Sequence, residues 1–235
     1  MTVTERFKIL SRETAIIAEL LTSGLESMRK IHLNQAHYYQ SFYAASMGLE
    51  RLMKLILHVE QSNLDPFKLG HKLENLANAL QIGVAGDSIE QKMFAFLSSF
   101  ARGDRYTIID FLHDNDSSRL AKEPVVSFYL DIILPILELH PPKPISKSTE
   151  VDDHFFALKI REDLQEITSL SEAISHFQGI DHASRFAAMY LARLARPFKD
   201  RLFSLDGNPN PYFSEHFRYL PDDDKYYLSR KTYHL

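Results

Sequence analysis

The segment YYQSFYAASMGLERLMKLILH, residues 38–58, decides the fold class of this chain. A helix advances by about 100° per residue, so this segment places large apolar side chains on one face and further ones on both flanks. The remaining polar strip is narrow: it consists of Gln40, Arg51, Lys54 and His58. A helix with so little polar surface needs neighbours on most sides. We therefore predict the central helix of a bundle, in which Gly48 lets one neighbour approach closely.

The rest of the chain repeats the helical pattern. It has only eight glycines in 235 residues, few alternating stretches and many apolar residues spaced by three or four positions. The pattern favours an all-α fold over any fold that contains a sheet. We expect a first helix that is capped by Thr4 or Ser11 and ends near Met28, followed by the central helix from about Asn34 to Gln61. A short third helix should cover 71–80, and a fourth should begin at a capping box formed by Asp87 and Glu90. The fifth helix contains Pro135, which should kink or split it.

Proline and aromatic residues suggest the domain boundaries. Three prolines within 141–144 predict a stiff linker over 141–150, after a helical bundle that spans 1–140. A helical pair is expected over 151–205, with Asp181 as N-cap of its second helix. The segment 206–235 holds five of the eleven tyrosines, which predicts an irregular tail packed on the body or on a partner.

Composition excludes several classes of function. The formal charge of -4 and the pI near 6.3 give no global reason to bind nucleic acid or an anionic membrane, although they leave room for a local basic patch. With no cysteine, disulfides and thiolate metal sites are excluded. No apolar run reaches the roughly 18 residues of a membrane span, and the N-terminus lacks the pattern of a secretory signal, so we expect a cytoplasmic protein. Phosphate-binding glycine loops, GxSxG and HExxH are absent, and no cofactor or metal is expected.

Three charged residues of the central segment form the first candidate site. Glu50 and Lys54 are one helical turn apart in the favourable orientation, and Arg51 lies beside them. A catalytic role and a polar seam between neighbouring helices are both compatible with this spacing. We interpret the three residues as a polar seam, because charged residues are rarely buried without a partner.

The stretch FARGDRYTIIDFLHDND, residues 100–116, gathers cations, carboxylates and an imidazole. Arg102 and Arg105 could hold a phosphate while His113 moves a proton. The alternative is a solvated helix end, where a histidine suits the helix dipole.

The third candidate site is a basic face on the last long helix. Arg185, Arg193 and Arg196 lie within about 80° of each other around the helix. Such a stripe can bind RNA phosphates, although it is also typical of the wet face of an amphipathic helix.

Two resemblances to known families remain. His71, His113-Asp114, Asp131 and Asp152 faintly resemble the ligands of the HD phosphohydrolases, which are all-helical and bind a divalent transition metal.

The second resemblance covers roughly residues 30–140. The central segment, the following GHKLENL and then FARGDRYTIIDFL are similar to the helices of the HEPN family. This resemblance implies a compact helical bundle that often forms a homodimer. It also implies an RNA or protein partner, of the antitoxin type, in a toxin–antitoxin or defence setting. Nucleases of the family act on RNA without a metal through an Arg-x(4–6)-His pair, for which Arg105 and His113, with seven residues between them, are the nearest match here.

The resemblance therefore implies a HEPN-like, RNA-associated or partner-binding helical protein, which could include a degenerate metal-independent ribonuclease. A non-catalytic dimerisation or interaction protein is the alternative, and an HD-like phosphohydrolase the third.

Overall fold

The computed structural model describes residues 2–61, 65–84, 88–102, 124–142 and 170–229, and all regular structure in these ranges is helical. The long and short α-helices are α1 (Val3–Arg29), α2 (Gln35–Glu60), α3 (Leu73–Ala79), α4 (Ile89–Arg102), α5 (124–139), α6 (Leu170–Phe203) and α7 (Asp224–Ser229). Two 3₁₀ turns, Pro66–Leu69 and Phe213–Phe217, precede α3 and α7. The prediction of an all-α bundle is confirmed.

Helix α2 is the centre of this bundle. It packs against α1, α3, α4, α5 and α6. The Phe42 ring is fully buried and meets Phe96 and Phe100 of α4 and Phe128 of α5, with ring centroids 4.7, 5.4 and 4.8 Å away. Aromatic pairs at such distances stabilise the fold beyond the contribution from burying their apolar surface. The central position follows from the narrow polar strip of the 38–58 segment.

Two glycines set the distance between α1 and α2. A Cβ at Gly48 would lie 2.9 Å from the Leu21 side chain, and one at Gly24 would lie 3.0 Å from the backbone nitrogen of Ala45. Each helix therefore contributes one glycine, as the sequence suggested for Gly48 alone.

The helix ends follow ordinary capping chemistry. Helix α1 begins behind Thr2, which forms a capping box with Glu5, rather than behind Thr4 or Ser11. Helix α2 has Asn34 as its N-cap and Gln61 as its C-cap. The bounds predicted for α2 are therefore correct, whereas the predicted start of α1 is too late.

Pro135 is accommodated without ending the fifth helix. Helix α5 consists of an α-helical turn (Pro124–Phe128), a π-helical turn (Tyr129–Ile133) and a second α-helical part (Leu134–Leu139). Proline cannot donate its backbone hydrogen bond, and a π turn is a known way to relieve this loss inside a helix. Pro135 lies at the start of the last part, directly after the π turn.

Helix α6 corrects the position predicted for the boundary inside the helical pair. It runs without a break from Leu170 to Phe203, so Asp181 lies inside the helix and is not an N-cap. Its carboxylate instead lies 3.4 Å from His32 and 3.8 Å from Arg185. Aspartate is a residue type that favours N-caps, but Ile180 and Ala183, on either side of Asp181, are both fully buried in the core. The residues 151–169 lie outside the described ranges.

The C-terminal segment packs on the body. One hydrophobic core contains residues of α1, α2, α4, α5 and α6 together with Phe213, Phe217, Leu220 and Tyr227. Within the described ranges, no helix is both long and apolar enough to cross a membrane.

Candidate functional site

A cleft opens between α2, the connection that leads into α3, and the C-terminal end of α4. Its volume is about 470 Å³, within the range of about 300–1,000 Å³ that is usual for ligand sites. We call it the α2–α4 cleft. It is lined by Tyr43, Ser46, Met47, Glu50, Leu69, Gly70, His71, Lys72, Asn75, Ala101 and Arg102.

One face of α2 forms a wall of the cleft. Tyr43, Met47 and Glu50 follow each other at spacings of four and three residues, which places them on the same side of a helix. The distance along the axis from Tyr43 to Glu50 is about 10 Å, at about 1.5 Å per residue. Tyr43 is 47% exposed, so an aromatic ring is available to a ligand at one end of this wall.

Glu50, at the other end of this wall, is a buried carboxylate with two charged neighbours. The residue is only 8% exposed. Its Oε1 accepts hydrogen bonds from Lys54 Nζ at 2.8 Å and from His71 Nδ1 at 2.9 Å. The buried charge is therefore compensated. Lys54 is mostly buried, whereas the side chain of His71 is 72% exposed and lines the cleft.

The connection that presents His71 is anchored on two helices. Gly70 has φ of 72°, the left-handed region that favours glycine, so the chain turns just before His71. Leu73 donates its backbone N–H to Ser98 Oγ of α4 at 3.1 Å. The Ser98 hydroxyl in turn donates to Glu74. His71 thus stands on a turn tied to α2 through Glu50 and to α4 through Ser98.

Two further cations line the cleft. Lys72 follows His71, and Arg102 is the exposed last residue of α4. Among the residues that the structure describes, neither one has a carboxylate within ion-pair distance. An anion can therefore approach both side chains without displacing a described protein partner.

The predicted polar seam divides into two parts. Arg51 makes two hydrogen bonds to Glu13 of α1, at 2.8 and 2.6 Å. That pair joins α1 and α2. Glu50 instead pairs with Lys54 on its own helix and with His71, which lies just before α3.

The basic face of α6 is engaged by the tail. Arg193 donates two hydrogen bonds to Asp224, at 3.1 and 2.7 Å, and Arg196 lies 3.3 Å from Asp222. Hydrogen bonding to Arg193 lowers the pKa of Asp224. The same hydrogen bonds raise the pKa of Arg193. Carboxylates thus occupy the places where phosphates were expected.

The third residue of that face has a different partner. Arg185 lies 3.8 Å from Asp181 on the same helix and does not share the carboxylates of the tail. The structure therefore does not bring Arg185, Arg193 and Arg196 to one common anion.

Several residues singled out in the sequence lie outside the described ranges. These include Arg105 and His113 of the HEPN-type pair and Asp114 and Asp152 of the HD-type set. Within the described ranges, no group of three or more His, Asp or Glu side chains could hold a metal ion. The described neighbour of His71 is Glu50.

The pairing of His71 with Glu50 was not foreseen from the sequence. The two residues are 21 positions apart, and no helical period relates them. The one available signal was Gly70 directly before His71, since glycine often marks a turn whose neighbours have unusual directions.

Comparisons of the chain with protein-family models, with curated proteins and with solved structures gave no match.

Proposed function

We propose that this protein is a HEPN-like, RNA-associated helical protein that binds a single strand of RNA in the α2–α4 cleft. The observation that supports this proposal is the combination of an exposed aromatic ring, Tyr43, with the cationic side chains of Lys72 and Arg102 in one concave site. Unpaired bases stack on aromatic side chains, while cations contact the phosphates. A duplex offers no base for such stacking.

The cleft supports this proposal better than the basic face of α6 does. On α6, Arg193 and Arg196 already bind the carboxylates of Asp222 and Asp224. A phosphate would have to compete with these intramolecular partners. At the cleft, no described carboxylate lies within ion-pair distance of Lys72 or Arg102 to compete with the phosphate.

Binding of a labelled single-stranded RNA, followed by fluorescence anisotropy at several salt concentrations, tests the proposal. Arg102→Glu should weaken binding and reduce the slope of log K against log salt by about 1, because one phosphate contact is lost. Lys92→Glu is the matched control, since Lys92 is an exposed cation on the same helix outside the cleft. The proposal fails if the RNA does not bind or if both variants weaken binding equally.

Cleavage of RNA without a metal is the activity that the HEPN resemblance implies, with Arg105 and His113 as its nearest match. The matching experiment is cleavage of the same RNA in excess EDTA by the protein and by its Arg105→Ala and His113→Ala variants. The toxin–antitoxin or defence setting stays a prediction.

A second candidate function is the binding of a protein partner, including a second copy of this chain. The observation that favours it is an apolar strip at the start of α1, where Val3 is 70% exposed and Phe7, one turn later, is 44% exposed. Sedimentation of the protein and of Phe7→Glu measures the contribution of this strip to self-association.

A further inference from the structure

Among the residues that the structure describes, Glu50 is the hydrogen-bond partner of His71 through Nδ1, and none is found for Nε2 of this exposed imidazole at the wall of the α2–α4 cleft. From this geometry we propose that His71, positioned by Glu50, accepts the 2′-hydroxyl proton of an RNA strand and so cleaves that strand without a metal. This inference rests on the proposed binding of RNA in the same cleft. It assigns the proton transfer to a residue outside the Arg105–His113 pair.

The hydrogen bond determines the tautomer of His71. An ionised carboxylate has no proton to donate, so in the 2.9 Å contact with Glu50 Oε1 the Nδ1 atom of His71 is the donor. In the neutral ring Nε2 then has the free lone pair. A carboxylate that fixes the tautomer and direction of a histidine is the arrangement by which many enzymes orient a general base.

Lys54 fixes the other side of this arrangement. It is one turn after Glu50 and donates to the same Oε1 at 2.8 Å. Because both side chains are largely buried, the carboxylate has little freedom to leave His71. A positioned base gains rate by being held in one orientation before the substrate arrives.

A purely structural role explains the exposure of His71 poorly. Lys54 alone already compensates the buried charge of Glu50. A further pair with a side chain that is 72% exposed adds little stability, because solvent screens such contacts. The exposed position is what a group needs if it must reach a substrate in the cleft.

Lys72 and Arg102 supply the electrostatic part of the reaction. Both line the cleft with His71. Charge builds up on the phosphate oxygens during attack at phosphorus, and cations placed there stabilise the transition state. Arginine can also contact two phosphate oxygens at once.

The reaction balances without a co-reactant. His71 Nε2 takes the proton of the 2′-hydroxyl, the 2′ oxygen bonds to the adjacent phosphorus, and the bond from phosphorus to the 5′ oxygen breaks. The leaving 5′ oxygen takes a proton from water, and His71 later returns its proton to the solvent. The products are a 2′,3′-cyclic phosphate and a 5′-hydroxyl end, so a strand that lacks the 2′-hydroxyl should stay intact.

The test measures binding and cleavage separately, on labelled single-stranded RNA in excess EDTA. His71→Ala should lower the cleavage rate about a hundredfold or more while the RNA affinity stays nearly unchanged. Added imidazole should restore part of the lost rate, which a merely structural histidine would not permit. His58→Ala is the matched control, since His58 is an exposed histidine of α2 that does not line the cleft.

Glu50 is a positioning residue and needs its own readout. Glu50→Gln keeps an oxygen that can accept from His71 Nδ1 but removes the negative charge that stabilises the protonated imidazole. It should therefore lower kcat and leave KM nearly unchanged. Unfolding of this variant must be followed beside the kinetics, because Lys54 loses its charged partner.

Each outcome decides between the two proposals. Binding without any cleavage, or cleavage that His71→Ala leaves intact, overturns the role of His71 while the RNA-binding proposal stands. Cleavage that is lost in His113→Ala but retained in His71→Ala also overturns the role of His71. Loss of cleavage in His71→Ala, whether or not His113→Ala also loses it, supports the role of His71 as the base. If no RNA binds, both proposals fail.

Discussion

At position 24 a hydrogen atom in place of a side chain determines how closely α1 and α2 pack. The neighbour there is the backbone of α2, since a Cβ would lie 3.0 Å from Ala45 N and 3.3 Å from its Cα. Ser41 of α2 also donates a hydrogen bond to the carbonyl oxygen of Gly24 at 2.8 Å. A backbone cannot turn aside as a side chain can, so a substitution here separates the helices.

Gly24→Ala should therefore destabilise the protein by about 1–3 kcal/mol, the usual cost of overpacking a tight contact. Gly83→Ala is the control, because a Cβ there meets nothing within 4 Å. Urea unfolding of both variants checks the expectation. Equal stability of the two would contradict it.

At the scale of elements, the junction of α5 and α6 contains a histidine with a perturbed pKa. His140 caps α5, stacks on Phe186 of α6 with ring centroids 4.1 Å apart, and lies 2.9 Å from the Tyr190 hydroxyl through Nε2. Burial, followed by the nearby charges of His182 and Arg193, lowers the pKa of His140 below its ordinary value of 6.5. The fold thus favours the neutral ring.

The direction of the shift predicts the pH dependence of stability. In the unfolded chain His140 takes up a proton as the pH falls below about 6.5, whereas in the folded protein it does so only at lower pH. Its contribution to stability is therefore present above pH 6.5 and is lost as the pH falls through the folded pKa. Urea unfolding at pH 7.5 and 5.5 should show a larger loss for the wild-type protein than for His140→Gln.

His58→Gln provides the comparison for that experiment, since His58 is an exposed residue of α2. It should keep the pH dependence of the wild-type protein. An unchanged pH dependence in His140→Gln would show that other groups cause the loss.

At the scale of the whole molecule, the C-terminal part completes the core that the first 140 residues begin. Phe94 of α4 stacks on Phe198 of α6 with centroids 6.2 Å apart. Lys199 is 2% exposed, and its ammonium group donates to the carbonyl oxygen of Leu220 at 2.6 Å and to Asp222 at 2.8 Å. Apolar burial and charge pairing thus both join α6 and the tail to the bundle.

A chain that ends at residue 142 should consequently not fold as an independent domain. Without α6, a large part of the apolar surface of α1, α2 and α4 would face water. Circular dichroism and urea unfolding of this chain should show no cooperative transition. The chain should also bind a dye that recognises exposed apolar surface. A cooperative transition like that of the full chain would instead establish 1–140 as a domain of its own.

Local sequence patterns were sufficient to predict the all-α class, the bounds of α2 and its central position. These follow from periodicity, capping and the lack of polar surface, all of which are local properties of the chain. Gly48 was also foreseen, because it lies on the helix that needs close neighbours.

Which charged residues meet depends on how the helices pack against each other. The pairs Glu50–His71 and Arg193–Asp224 join residues 21 and 31 positions apart, and no local period encodes such distances. The continuous path of α6 through Asp181 was decided in the same way, since packing against other helices outweighs the preference of one residue for a cap. The cleft exists because three elements that are separate in the sequence meet around Glu50.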